Sequence, residues 1–201
     1  MAKIIKLNNS TKENIINICL DCIVEQRTGM TLNLRDIARR AGCAHTNLYN
    51  YFQDLNDMRW QCLLPAYNKL VKHYPEEDIK TTERGLVLFR NYMESYMEAI
   101  LYQPGLYRFV FLEEFATPMP KEIKIGLEYI NQRLKDMVRL GAEEKVSEYY
   151  IDRLQDLIFM YFQGEMNHLI SNKDIRPQSI EQKKEEIIQN CLLLYDAFKR
   201  L

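Results

Sequence analysis

The sequence is poor in the two residues that most often break regular structure, with seven Gly and six Pro in 201 residues. Such a small share argues against collagen-like, low-complexity and turn-rich all-β proteins. No uninterrupted apolar run approaches the roughly 18 residues that a membrane helix needs. The first residues are too polar for a secretory signal. We therefore expect a cytoplasmic protein that does not enter a membrane.

Cysteine is present in an odd number, five, whereas a disulfide framework needs an even count. Cys19 and Cys22 are three residues apart, which on a helix places both on one face, here the apolar one. No second pair of Cys or His lies nearby at the spacing of a zinc site. We interpret both residues as small members of the core and predict no metal and no cofactor. A redox or metal sensor built on them is an alternative.

Groupings typical of enzymes are also missing. The three His residues, His45, His73 and His168, are widely separated in the sequence. Glu113 and Glu114 are adjacent, so on a helix they point about 100° apart and at least one faces solvent. No phosphate-binding glycine loop and no Ser-His-Asp arrangement is present. The sequence therefore predicts a protein that is not an enzyme.

Charge is nearly balanced, with 27 Lys and Arg against 28 Asp and Glu. The distribution is uneven, because residues 1–52 hold seven basic and four acidic side chains and the remainder has an acidic surplus. A slightly basic N-terminal part favours a polyanionic partner such as nucleic acid.

Apolar residues at helical spacing predict about nine helices, four short ones followed by five mostly longer ones. The Asn33 side chain can cap the second helix, and Gly42 can adopt the left-handed conformation that ends it. Asp54 can cap the fourth helix, which Pro65 is expected to interrupt or kink. A polar stretch at 73–78 predicts a loop or boundary. No segment alternates like a strand.

Residues 33–52 contain the parts of a helix-turn-helix, namely a helix, a tight glycine-containing turn and a second helix over about 44–52. In the second helix, Leu48, Tyr49 and Phe52 are predicted to share one face, with Leu48 and Phe52 directed inward. Asn47 and Asn50 can each form paired hydrogen bonds with adenine, and Thr46 can contact a base edge or a thymine methyl group. The exposed side of the first helix carries cations suited to phosphates, at Arg35, Arg39 and Arg40.

Four residue pairs within this segment resemble the TetR family of transcriptional regulators: Ile37-Ala38, Ala41-Gly42, Leu48-Tyr49 and Tyr51-Phe52. The resemblance covers roughly residues 12–64. It implies an all-α protein with an N-terminal three-helix helix-turn-helix DNA-binding domain, residues 1–64, and a larger helical domain, residues 65–201. The larger domain would bind an effector and dimerise.

The resemblance also implies roles for individual residues. His45, Thr46, Asn47 and Asn50 would face the major groove, Tyr49 and Tyr51 would contact phosphates, and Asn33 would cap the supporting helix beside the DNA. The predicted DNA-binding set is therefore Asn33, Arg35, Arg39, His45, Thr46, Asn47, Tyr49, Asn50 and Tyr51.

The sequence departs from the usual family pattern at three places. Cys43-Ala44 stands where members have Val-Ser, which removes the hydroxyl cap of the recognition helix. Thr46 replaces a Gly, and Leu55 replaces a Lys that contacts phosphate. Arg59, one turn beyond Leu55, is a candidate to replace that contact.

The C-terminal part is rich in aromatic residues and methionine, which can line an adaptable apolar pocket or form an ordinary core. The candidate ligand-binding residues are Phe89, Met93, Tyr96, Met97, Tyr107, Phe111, Tyr161 and Glu165. The last two long helices, near 147–172 and 178–200, are expected to form a two-fold interface. Its candidate residues are Leu157, Gly164, His168, Leu192 and Tyr195.

Together these features predict a homodimeric DNA-binding regulator. It would be a repressor released from a pseudo-palindromic double-stranded operator by a small, largely apolar effector. The alternative from another class is a helical ligand-binding or interaction protein without an operator.

Overall fold

The structure is a computed structural model that describes residues 12–71, 82–142, 146–171 and 179–198. These residues form eight α-helices, one 3-10 helix and no strand, which confirms the predicted all-α fold. The helices are α1 (Lys12–Gln26), α2 (Leu34–Arg40), the 3-10 helix (His45–Asn50), α3 (Leu55–Leu70), α4 (Thr82–Tyr102), α5 (Pro104–Phe111), α6 (Lys121–Gly141), α7 (Glu148–Ser171) and α8 (Ile180–Phe198).

The chain divides into two compact units. The first contains the described residues up to 70 together with 102–126, and the second contains the described residues of 71–101 and 127–201. The loop predicted at 73–78, with His73, lies outside the described residues. The functional division at residue 64 stays a prediction, because compactness alone assigns no function to either unit.

The core of the first unit is formed by α1, α3 and α5, with α2 packed on α1 and on the 3-10 helix. Cys19 and Cys22 are both buried in this core, and the Cys19 thiol donates a hydrogen bond to Met58 Sδ at 3.4 Å. Burial raises the pKa of the Cys22 thiol, which disfavours the thiolate that metal or redox chemistry needs. In the described part of the chain, no group of three His, Cys, Asp or Glu residues could hold a metal ion.

Helix α3 begins as predicted and is not interrupted by its proline. Asp54 Oδ1 accepts a hydrogen bond from the Asp57 N–H at 2.8 Å, so Asp54 caps the helix. Of the two effects expected of Pro65, an interruption or a kink, the interruption is absent, because α3 continues to Leu70. Burial of Ala66 and Leu70 against the rest of the unit holds the last turn in place despite the missing proline N–H.

The second unit contains most of α4 and α6 together with α7 and α8, and α7 packs along α8. Tyr195 of α8 is buried, and its hydroxyl donates a hydrogen bond to the Val138 carbonyl of α6 at 3.1 Å. None of the described helices has the length and apolarity needed to cross a membrane.

Candidate functional site

The predicted recognition segment is a 3-10 helix of six residues, His45–Asn50, rather than a longer helix over 44–52. Its start has no side-chain cap, because Ala44 is extended (φ −68°, ψ 143°) and offers no hydroxyl. Its end is fixed where the N–H groups of Tyr51 and Phe52 both donate to the Leu48 carbonyl, each at 3.0 Å. The recognition segment, which lacks a hydroxyl cap at Ala44, is thus a shorter and more tightly wound helix than the one predicted over 44–52.

Two buried side chains anchor this helix to the first unit. Leu48 is 1% exposed and Phe52 is 2% exposed, as the apolar pattern predicted. Tyr49 was expected to share a face with them, but it is 52% exposed. Adjacent residues of a 3-10 helix point about 120° apart, so with Leu48 directed into the core the side chain of Tyr49 is directed away from it.

The outer surface of the helix is polar and continuous. Residues three apart eclipse one another in a 3-10 helix, so Asn47 and Asn50 form one row and Thr46 and Tyr49 form another. All four side chains are exposed, as is that of His45, whose ring meets Tyr49 edge-on at 6.3 Å between centroids.

The turn before this helix has the predicted stereochemistry. Asn33 Oδ1 accepts a hydrogen bond from the Arg35 N–H at 2.8 Å and so caps α2. Gly42 has a φ of +66°, the left-handed region that favours glycine. The Cys43 N–H donates to the Ala38 carbonyl at 3.0 Å, which closes the tight turn between the two helices.

The three arginines of α2 differ in their partners. Arg35 is exposed, and Arg39 is exposed although it pairs with Asp36. Arg40 pairs with Glu25 at 2.8 Å and with Asp36 at 3.1 Å. The hydrogen bond from Arg39 lowers the pKa of Asp36, so this carboxylate stays charged at neutral pH. Arg35 and Arg39 therefore present the more accessible cations on this helix.

Arg59 cannot replace the phosphate contact that Leu55 lacks. Its side chain is 8% exposed and forms an ion pair with Glu113, with 3.2 Å between Arg59 Nη2 and Glu113 Oε2. The guanidinium also lies over the Phe115 ring, 4.7 Å from its centroid. The expectation of a DNA contact was wrong because helical spacing shows which turn a residue occupies but not which distant side chain it meets.

Lys12 is a cation near the 3-10 helix that the sequence did not single out as a site residue. Its Nζ lies 5.9 Å from the centroid of the Phe52 ring. Forty residues separate the two positions, so only the packing of α1 against the rest of the unit brings this charge to the end of the 3-10 helix.

The second unit contains an apolar cavity between α4, α6 and α7. The volume open to the centre of a water molecule is about 40 Å³. The lining consists of Phe89, Tyr92, Met93, Tyr96, Leu134, Met137, Val138, Gln155, Ile158, Phe159 and Phe162. Three of the eight candidate ligand residues, Phe89, Met93 and Tyr96, are among them.

The other candidate ligand residues lie elsewhere. Met97 is fully buried without lining the cavity, and Tyr107 and Phe111 belong to the first unit. The Tyr161 hydroxyl accepts a hydrogen bond from Asn190 Nδ2 at 2.7 Å, and Glu165 pairs with Lys183 at 2.8 Å.

These five residues do not line this cavity, and their assignment to a ligand site stays a prediction. An apolar pattern identifies a buried helix face but not the face that borders a void.

The candidate interface residues of α7 and α8 fall into two groups. Leu157, Gly164 and His168 are exposed, and a Cβ added at Gly164 would meet no atom within 4 Å. Leu192 is half-buried. Tyr195 is 2% exposed and packs edge-on against Phe89 of the same chain, so it belongs to the core and its assignment to an interface was wrong.

Solved structures with a similar fold include proteins described as regulators. The structure of SCO4313, described as a regulatory protein, has a TM-score of 0.68 at 13% identity and covers 90% of this chain and 96% of that one. A TetR transcriptional regulator from Rhodococcus sp. RHA1 has a TM-score of 0.59 at 14% identity, with 90% and 94% covered. A protein from Shewanella sp. PV-4, described as a TetR family transcription regulator, has a TM-score of 0.58 at 16% identity, with 92% and 96% covered.

No family model matches the sequence. The likeness to the solved structures nevertheless confirms the fold that the helix-turn-helix residues predicted, and the chain has the fold of TetR transcriptional regulators.

Proposed function

We propose that the protein is a homodimeric transcription regulator that binds double-stranded DNA and acts as a repressor. A small, largely apolar effector releases it from a pseudo-palindromic operator. The observation that carries this proposal is the exposed row of Asn47 and Asn50, held outward because Leu48 and Phe52 are buried. The proposal needs no catalytic chemistry, which agrees with the absence of catalytic groupings in the sequence.

The two kinds of DNA contact have separate roles. Asn47 and Asn50 carry the amide groups that can read adenine in the major groove. Tyr49, Tyr51, Arg35 and Arg39 supply hydroxyl groups and cations for phosphates, which fix position without reading sequence. The dimer would present two such helices to successive major grooves, so the operator would be an inverted repeat.

Gel-shift titrations on a randomised operator library test this division. Tyr49→Ala should weaken binding to all sequences about equally, whereas Asn50→Ala should relax the choice of base at one position. Tyr102→Ala is the matched control, because Tyr102 is 84% exposed and lies outside the 3-10 helix. Equal loss of discrimination in the first two variants would contradict the assignment. Failure of the full-length protein to capture any genomic DNA would favour the helical ligand-binding protein instead.

The proposed dimer rests on the exposed apolar side chains of α7. Leu157 is 47% exposed and Met160, which shares its side of α7, is 71% exposed, so this helix presents neighbouring large apolar side chains on its surface. Leu157→Glu should shift the protein from dimer to monomer in analytical ultracentrifugation. The oligomeric state of Leu193→Glu, a matching change on α8, should be measured in the same way. A wild-type protein that sediments as a monomer at micromolar concentration would refute the dimer.

Effector release is proposed as a population shift. The ligand must bind more tightly to the conformation whose two heads do not fit the operator. Its site would be the cavity bordered by α4, α6 and α7.

A further inference from the structure

The cavity of the second unit has a wall chemistry that selects among ligands. Its lining contains aliphatic, thioether and aromatic side chains, two of them tyrosines (Tyr92 and Tyr96) with buried hydroxyl groups, and one amide, Gln155, but no charged residue. Charged residues of the same helices form ion pairs outside the cavity: Lys135 pairs with Asp152, and Arg139 pairs with Glu148. A charged ligand would therefore enter without a counter-charge, which is strongly unfavourable in an apolar site.

One wall of the cavity is aromatic. The centroid of the Tyr96 ring lies 5.8 Å from that of Tyr92 at an interplanar angle of 28°, and 5.1 Å from that of Phe162 at 14°. Contacts between aromatic rings are more favourable than their buried area alone accounts for, so these three rings favour an aromatic ligand over an aliphatic one of similar size. The geometry of this wall thus favours an aromatic ligand.

The amide of Gln155 has a fixed orientation. Its Nε2 donates hydrogen bonds to Asn131 Oδ1 at 2.6 Å and to the Asn131 carbonyl at 3.4 Å, so both N–H groups of the amide are engaged. The carbonyl oxygen, Oε1, is the remaining hydrogen-bonding atom of this side chain, and it can only accept. A ligand that uses it must carry an N–H or O–H donor.

The size of the cavity sets a further condition. About 40 Å³ holds a few water molecules, whereas an engineered apolar cavity that binds benzene has on the order of 150 Å³. The cavity must therefore widen for a ring to enter. Met93 of α4 and Met137 of α6 can provide that space, because an unbranched thioether changes conformation easily.

We propose that this cavity binds a neutral planar aromatic molecule with a single hydrogen-bond donor, of the indole or phenol class, through Gln155 Oε1 and the Tyr92–Tyr96–Phe162 wall. The role of this ligand as an effector rests on the proposed function. Its binding does not, because the ligand can bind in the absence of DNA.

Calorimetric titration of the full-length protein with three probes tests the ligand class. Indole should bind about 3- to 10-fold more tightly than 1-methylindole, which lacks the donor. Indole-3-carboxylate should bind at least about 100-fold more weakly than indole. Gln155→Leu should abolish the preference for indole over 1-methylindole, whereas Gln132→Leu, a change on the exposed side of α6, should preserve it.

Methyl NMR of methionine-labelled protein tests the location. Indole should shift the methyl signals of Met93 and Met137 through its ring current and leave that of Met160 unchanged, since Met160 is 71% exposed on α7. Indole binding that leaves the Met93 and Met137 signals unmoved would overturn the proposal, as would equal affinity for indole and its carboxylate or no binding of indole and phenol. DNA binding without indole binding would refute only this inference. Indole binding without capture of genomic DNA would refute only the proposed regulator.

Discussion

Removing the charge of Glu113 should lower the free energy of unfolding of the first unit more than removing an exposed charge at its surface. Glu113 Oε1 accepts hydrogen bonds from Thr28 Oγ1 at 2.5 Å and from the Gly29 N–H at 2.7 Å. Its other oxygen, Oε2, binds Arg59, and the side chains of this ion pair are each 8% exposed. One carboxylate thus joins the α1–α2 connection, α3 and the segment after α5.

Glu113→Gln keeps the shape of the side chain but not its bonding capacity. An amide has a single oxygen, so either Thr28 and Gly29 lose their acceptor or the amide NH₂ faces the guanidinium of Arg59. Arg59 would still donate to the Glu114 carbonyl, at 3.3 Å, and to Met30 Sδ, at 3.2 Å. Breaking one side of a buried ion pair costs about 3–5 kcal/mol, and we expect a loss of that size in the free energy of unfolding.

Trp60 gives this measurement a local probe. It is the single Trp of the chain, its ring stacks on Phe115 with centroids 4.1 Å apart, and its Nε1 donates to Thr117 Oγ1 at 2.9 Å. Urea unfolding followed by Trp60 fluorescence therefore reports on the unit that contains Glu113.

The control and the double variant make the reasoning refutable. Glu25→Gln removes an exposed partner of Arg40 and should change the unfolding midpoint little, because solvent screens such pairs. Adding Arg59→Met to Glu113→Gln should recover part of the lost free energy of unfolding, because the double variant no longer buries an unpaired guanidinium. A loss for Glu113→Gln no larger than that for Glu25→Gln would refute the argument.

Two further predictions concern single residues. Arg27 directly follows α1 and has a φ of +59°, a conformation that favours glycine. Arg27→Gly should therefore raise the free energy of unfolding by about 0.5–1 kcal/mol in the same urea assay, and a decrease would contradict this. Burial raises the pKa of Cys191 to about 12, from an ordinary value of 9.0. As the pH rises above 9, the thiol therefore loses its proton in the unfolded chain but keeps it in the folded one. The free energy of unfolding falls as a result, by about 1.4 kcal/mol at pH 10. Cys191→Ala should therefore reduce the decline between pH 8 and 10 in circular-dichroism unfolding curves; an unchanged decline would exclude this thiol as its source.

Local features of the site could be predicted from the sequence because their causes are local. The cap at Asn33 and the left-handed Gly42 each depend on a few neighbouring residues, and both were confirmed. Burial of Leu48 and Phe52 follows from their spacing. The 3-10 form of the recognition segment could not be derived in this way, since helix type depends on small differences in packing and capping.

Features that join distant parts of the chain could not be predicted. The Arg59–Glu113 ion pair spans 54 residues, and neither residue alone indicates the other. Tyr195 has the apolar spacing expected of an interface helix, yet it fills the core of its own protomer. Phe89, Met93 and Tyr96 were predicted from α4, but the cavity's other walls depend on how α6 and α7 are rotated.

The ion pair between α7 and α8 restricts how these two helices can slide along each other. Lys183 is 2% exposed and lies 2.8 Å from Glu165, with Glu186 at 3.3 Å as a second partner. A slip of one helical turn, about 5.4 Å, would carry the ammonium group away from Glu165 and leave its charge in a dry environment. Apolar side chains alone would tolerate such a slip far better. The pair therefore fixes a single register for α7 and α8, so that the surface formed by their outer faces has one defined shape.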